Sequence, residues 1–278
     1  MHTEEVSPRW TRRIEEIASP VEKIILPDAS STDLSQDQEW CDVLVEGRRR
    51  RVRFHDYHEL FRIPGLYEGI FYRELKCCSP TRTALLLDEL VRDAGERFED
   101  LRVLDVGAGN GMVGDELQAR HAEYIVGIDI IPEAQMATQR DRPGVYDDYV
   151  VADLTELAEG KEKRLREARC NCLTSVAALG FGDMPAAAFA KALDLVETPG
   201  WVAFTIKEDF LRDEDASGFS QLVRSLSRRR ILQLQAYRRF SHRLSVSGEK
   251  LYYVAMVARK LRDLPGDMLN SGVQDGEF

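Results

Sequence analysis

A short apolar run, Val103-Leu104-Asp105-Val106, breaks into Gly107-Ala108-Gly109-Asn110-Gly111, and Met112 to Leu117 then has the composition of a helix start. Glycines tolerate positive φ and let a ligand approach the backbone with no Cβ in the way, while free amides at a helix start attract an anionic group. The next apolar run, Tyr124 to Ile128, ends on Asp129, where a carboxylate can accept both hydroxyls of a ribose. A third, Tyr149-Val150-Val151-Ala152, ends on Asp153-Leu154. One glycine loop is weak evidence. Three strand ends in order, each with a polar group, describe a nucleoside-binding edge, because ligands of parallel sheets sit outside the carboxyl ends of the strands.

Positioning those groups requires strands at Arg102–Val106, Tyr124–Asp129, Tyr149–Asp153, Leu173–Ala177 and Trp201–Ile206, with helical stretches between them, hence a parallel sheet covered on both faces. Ser79-Pro80 supplies an N-cap candidate and a first-turn proline for a helix over 80–94. Ile231–Phe240 and Lys250–Ala258 are joined through Val246-Ser247-Gly248 with no room for a crossover helix, so they pair antiparallel. Upstream, residues 1–40 read as a flexible arm. Residues 41–78 combine a hairpin, Cys41 to Phe54 around Glu46-Gly47, with an aromatic cover in which Tyr57, Phe61, Tyr67, Phe71 and Tyr72 surround Pro64-Gly65. Pro64-Gly65 among aromatics predicts a lid that closes over a bound ligand. The Arg48–Arg51 run reads as a solvated strand edge, and residues 263–278 as an acidic tail.

Composition narrows the function further. The chain has 278 residues, 44% hydrophobic and 31% charged, enough for a sizeable core. Lys plus Arg is 38 against 48 Asp plus Glu, a net charge of −10 that repels a polyphosphate partner, so no nucleic acid is expected. No apolar run reaches membrane-spanning length and the start Met1-His2-Thr3-Glu4-Glu5 lacks a secretory core; the expected location is the cytoplasm, with no membrane partner. Five cysteines, Cys41, Cys77, Cys78, Cys170 and Cys172, lack zinc-type spacing, which predicts reduced thiols and no metal.

Val103 to Gly111, Gly127-Ile128-Asp129 and Ala152-Asp153-Leu154 together resemble the successive cofactor motifs of the class I S-adenosylmethionine (SAM) dependent methyltransferases. Ser175 to Pro185 and Thr198-Pro199-Gly200-Trp201 resemble the small-molecule and Williams-Beuren-region-like members. The resemblance implies an α/β fold, a three-layer Rossmann-like sheet of seven strands with the last antiparallel, spanning 79–262, and SAM as cofactor. It also implies roles. Gly107, Ala108 and Gly109 approach the methionine part, with Asp105 supporting their loop. Asp129 and Ile130 hold the ribose side, Asp153 and Leu154 the adenine, and Ser175 and Val176 the sulfur end. A second register, Gly109 to Gly114 as G-x-G-x-x-G, is the NAD(P)-dependent oxidoreductase alternative; it leaves Gly107-Ala108 unexplained and Asp153 without a task. A non-catalytic SAM-binding or regulatory protein is the other alternative.

Methyl transfer is an in-line displacement, so the protein mainly positions two reactants and removes a proton where the acceptor carries one. His55, His58 and His242 are the base candidates; His242, expected on the hairpin loop beside the acceptor pocket, and His58 are taken as the catalytic candidates, and Tyr57, Tyr67 and Tyr72 as aromatic faces for the cationic sulfonium. The segment Ser175 to Leu179 lacks the Asn/Asp-Pro-Pro-Tyr pattern used to accept an amine, which favours a small-molecule acceptor, a hydroxyl among the options.

Overall fold

The computed structural model describes residues 10, 14–28, 34–180, 183–212 and 216–270. Its main sheet contains β4 (Arg102–Val106), β5 (Tyr124–Asp129), β6 (Asp148–Val151), β7 (Cys172–Ser175), β8 (Gly200–Lys207), β9 (Leu232–Leu244) and β10 (Lys250–Lys260), in the order β6-β5-β4-β7-β8-β10-β9. β5, β4, β7 and β8 run parallel, whereas β10 is antiparallel to both β8 and β9. The expected seven-stranded sheet with its antiparallel final strand is therefore present. Its strands are apolar on both faces because helices cover both: Val126, Leu104, Leu173, Val202 and Phe189 share one core, Val103, Ile125, Trp201 and Leu87 the other.

Strand ends moved where pairing outran local sequence signals. Asp153 lies two residues past β6, and Ser175 is the last residue of β7. β9 extends to Leu244 because its ladder with β10 continues to the Leu244–Lys250 pair, which places His242 inside a strand and not on the hairpin loop. Helix Ser79–Asp93 forms as expected, but Cys78 holds the N-cap position and Ser79 begins the helix, its hydroxyl committed to His242.

The second sheet comprises β1 (Val21–Ile25), β2 (Trp40–Val45) and β3 (Arg48–Arg53). The β2–β3 hairpin turns on Glu46 (φ 51°) and Gly47 (φ 72°), a pair of left-handed residues matching the strand twist. β3 is the edge: Arg49 and Arg51 both bond Asp42, and Arg51 lies over the Trp40 ring. β1 and buried Trp10 correct the reading of 1–40 as an arm, since both are packed; an amphipathic strand needed a tertiary partner to be visible. At the other end Leu264 is buried and Gly266–Asn270 is a short helix, so the tail begins later than expected. The remaining tail, 271–278, and the arm residues 1–9, 11–13 and 29–33 lie outside the described residues.

Between the sheets runs the cover: a helix at Tyr57–Arg62, a turn at Leu66–Glu68 and a π-helical segment at Gly69–Glu74. π-helical turns are uncommon and recur beside functional sites. Among the described residues no helix is long and apolar enough to cross a membrane.

Candidate active site

Gly107, Gly109 and Gly111 all adopt positive φ (70°, 53° and 91°), which turns the chain sharply from β4 into the helix Met112–Gln118. Two more distant groups hold the turn. The Gly109 amide donates to Asp129 Oδ2 (2.8 Å) and the Ile131 amide to Oδ1 (3.0 Å), while the Gly109 carbonyl accepts from Tyr149 (2.8 Å) and Thr138 (2.9 Å). Asp129 thus braces the loop it faces, and a carboxylate with one bond per oxygen retains lone pairs for ligand hydroxyls. Burial raises its pKa, and the Ile131 and Gly109 amides oppose that rise.

Asp105 lies beneath the loop, wholly buried, accepting from Tyr146 (2.6 Å) and Thr174 (2.7 Å). Gly114 makes this possible, because a Cβ there would sit 2.7 Å from the Tyr146 ring. Burial pushes the Asp105 carboxyl up from 3.8 to about 7, against the pull of both hydroxyls. A folded-state pKa above the unfolded value means that the unfolded chain loses its proton first as pH rises. The contribution of Asp105 to stability is therefore complete below pH ~4 and declines towards pH ~7. Asp105→Asn should remove that decline: the Tm difference, variant minus wild type, is expected to grow more positive between those limits in calorimetry. A constant difference would disprove the assignment.

A cavity of about 380 Å³ opens over these strand ends. Its lining includes Asp129, Ile130, Asp153, Leu154, Gly107 and Gly109, together with Val176, Ala177 and Met184. Asp153 is fixed by its own turn, accepting from Thr155 N (2.7 Å) and Oγ1 (2.6 Å). Ala177 takes a positive φ of 55°, with its amide donating to Thr205 (2.7 Å), a strained residue at the point where the wall turns. Ser175 differs from the rest: it is fully buried in β7 and does not line the cavity.

A second, smaller chamber of about 70 Å³ continues under the cover and shares Gly107, Gly109, Val176, Ala177, Ala178, His55, Tyr57, Tyr67 and Asp183 with the first. Tyr57, Tyr67 and Phe71 are among its walls, Tyr67 and Phe71 with ring centroids 4.7 Å apart; Phe61, which lines the larger cavity, packs between Tyr57 (6.0 Å) and Tyr67 (5.2 Å). Tyr72 lines it too, and Tyr57 and Tyr67 also reach the larger cavity. Burial raises the pKa of all three tyrosines, so they are neutral phenols.

The histidines separate. His242 lines the inner chamber, its Nδ1 at 2.6 Å from Ser79 Oγ and its ring stacked on Tyr253 at 4.1 Å. Burial, reinforced by the Arg243 charge, holds it well below the usual histidine range, hence uncharged. His58 stands at the outer rim, mostly exposed, and pairs with Glu133 (2.9 Å), which Arg62 also binds (2.8 Å). That bond to His58, with Glu133's own amide and Arg62, draws the Glu133 carboxyl down to about 2. His55 sits where the two cavities meet, bonded to Asp183 (3.0 Å).

Sequence reasoning missed the groups that join cover to loop. Glu68 accepts from Arg142 Nη1 (2.6 Å) and from Asn110 Nδ2 (2.7 Å), with both charged side chains essentially inaccessible. Arg142 also donates to the Asn110 carbonyl (3.1 Å) and lies beneath Trp10. These residues are far apart in sequence and carry no local pattern; the only available signal was a tryptophan in a segment read as an arm.

The strand-end residues fit SAM. The larger cavity has the volume of a nucleoside-sized ligand site, and Asp129 and Asp153 present carboxylate oxygens at separate strand ends. Gly107 and Gly109 present bare backbone to the cavity. Among the described residues no group of His, Cys, Asp and Glu could hold a metal, and none of the five cysteines is joined in a disulfide.

Solved structures with similar shape include a putative RNA methyltransferase from Pyrococcus horikoshii (15% identity, 67% of this chain and 88% of that one, TM-score 0.48). Magnesium protoporphyrin IX methyltransferase from Synechocystis PCC 6803 with bound SAM is another (15%, 65% and 79%, 0.46). A third is a ribosomal protein L11 methylase from Lactobacillus delbrueckii subsp. bulgaricus (16%, 66% and 79%, 0.42). No curated protein matches the chain. The family model described as a methyltransferase domain matches residues 79–251, more than half of the sequence and all of the strand ends described above. The chain belongs to that methyltransferase family and is a SAM-dependent methyltransferase.

Proposed function

We propose that the enzyme methylates a small-molecule acceptor seated in the inner chamber. The observation that carries this reading is the enclosure: Tyr57, Tyr67, Phe71 and Tyr72 of the cover, with Phe54 from the end of the hairpin, close over the chamber, leaving about 70 Å³ against Gly107 and Val176. Such walls suit a compact, largely apolar molecule. They leave little room for a strand of RNA or a protein loop, and the net charge of −10 argues against nucleic acid as well.

When bound, SAM supplies an electrophilic methyl group on a sulfonium. Asp129 and Asp153 would hold its nucleoside and Gly107 to Gly109 its amino-acid end. The chain's own work is positional. Aromatic walls exclude water and orient the acceptor, and effective concentration from such orientation is a large share of catalysis for displacement reactions. Neutral His242 presents a polar edge at the inner wall, so an acceptor with a hydroxyl or other neutral polar group is matched better than an anion.

A labelled-methyl assay on a cell extract separated into metabolite, RNA and protein fractions tests the proposal. Label is expected in the metabolite fraction. Label confined to RNA or protein would overturn it.

A further inference from the structure

Resting on that reading of the chamber, we infer that His55, held by Asp183, is the group that takes the acceptor's proton.

The location comes first. A methyl group passing from the strand-end cavity to the chamber must cross their junction, formed by Gly107, Gly109 and Val176 to Ala178. His55 and Asp183 line both cavities; His242 lines only the inner one, and His58 only the outer one. Of the three histidines weighed from sequence, His55 alone stands at the crossing.

The second observation is chemical. His55 Nδ1 lies 3.0 and 3.3 Å from the two Asp183 oxygens, which sets the imidazole with its proton on Nδ1 and its basic Nε2 on the opposite side of the ring. Tyr57 Oη approaches the same carboxylate at 3.5 Å, and the His55 ring meets the Tyr57 ring edge-on at 5.8 Å, so two chamber residues fix the pair. His242 has the contrary setting: Ser79 is its Nδ1 partner, no carboxylate among the described residues bonds it, and burial opposes its charging. A base that becomes cationic needs an anion beside it, as in a carboxylate–imidazole pair. His58 has Glu133, yet it pairs on the outer rim.

The facing charged groups agree. Asp183 carries the negative charge at the junction, and Arg243, the cation of the chamber, is committed to Glu39 and to the Leu244 carbonyl. The junction therefore favours an acceptor that arrives neutral and leaves a proton behind, an alcohol or phenol, over a carboxylate or phosphate. In the step itself the hydroxyl oxygen forms the new O–C bond while the donor's C–S bond breaks, its electron pair staying on sulfur. The hydroxyl proton moves to His55 Nε2. The imidazolium formed is stabilised by Asp183 and then returns its proton to solvent.

Phenol and 4-nitrophenol serve as probes at pH 8.5, where phenol is largely protonated and 4-nitrophenol is ionised. Turnover with labelled donor is measured for wild type, His55→Gln and Asp183→Asn, alongside calorimetric affinity for S-adenosylhomocysteine. Expected is a roughly 100-fold or greater loss with phenol, a loss of less than about tenfold with 4-nitrophenol, and product affinity within about twofold. Equal losses with both phenols would make His55 a merely structural residue and overturn the inference. Where neither phenol is turned over by wild type, side-chain ¹⁵N spectra of the product-saturated full chain decide. An Nδ1–H tautomer of His55 that is lost in Asp183→Asn supports the inference, and an Nε2–H tautomer overturns it. Loss of product affinity in wild type would instead refute the cofactor assignment.

Discussion

Arg142→Met is expected to destabilise the protein by about 3–5 kcal/mol, because it strands the Glu68 carboxylate in the interior without its partner. Both side chains are buried, at 0% and 1% exposure, so water cannot replace the lost guanidinium. Against a total stability of about 5–15 kcal/mol the loss is large enough to appear as a major shift of the urea midpoint. Adding Glu68→Gln to Arg142→Met removes the stranded charge and keeps an amide oxygen for Asn110, and most of the stability should return. A double variant no more stable than the single would show that the two charges are not energetically coupled. The pair matters to function through Asn110, whose side chain bonds Glu68 and whose carbonyl accepts from Arg142, inside the glycine loop. The cover that the sequence presents as a lid is thus bolted to the cofactor loop by a buried ion pair.

Gly107→Ala should weaken S-adenosylhomocysteine binding by roughly five- to 150-fold in calorimetry, the range that follows from about 1–3 kcal/mol of local strain. Two penalties combine. Gly107 has φ of 70°, and a Cβ built there lies 2.6 Å from the Ala178 Cβ and 3.3 Å from Met184. Ala178 belongs to the strained wall that separates the two cavities, so the collision shifts the surface on which both reactants rest. Gly144→Ala is the control: its φ is 76° but nothing lies within 4 Å of the added carbon. It should lower stability and spare affinity. Equal loss of affinity in both variants would show that backbone strain alone, and not the approach to Ala178, sets the effect.

The periodicity of the chain was enough for the central sheet. Alternation of apolar runs with helical stretches specifies a parallel sheet, and a loop too short for a crossover specifies its antiparallel end, since both are consequences of local reach and burial. The same local logic placed Gly107, Gly109, Asp129 and Asp153 on one edge, because strand ends of a parallel sheet lie side by side whatever the rest of the molecule does.

Tertiary structure decided everything that depends on a partner distant in sequence. Glu68 and Arg142 are ordinary surface residue types until burial forces them together. Trp10 and β1 look like parts of an arm until a sheet and an ion pair receive them. Sequence favoured His242 and His58 over His55; only the fold set His242 beside Ser79, His58 beside Glu133 and His55 beside Asp183. Hydrophobic pattern repeats every few residues and can be read along the chain, whereas electrostatic pairing and desolvation depend on which side chains meet in space, and that is settled only when the cover closes on the sheet.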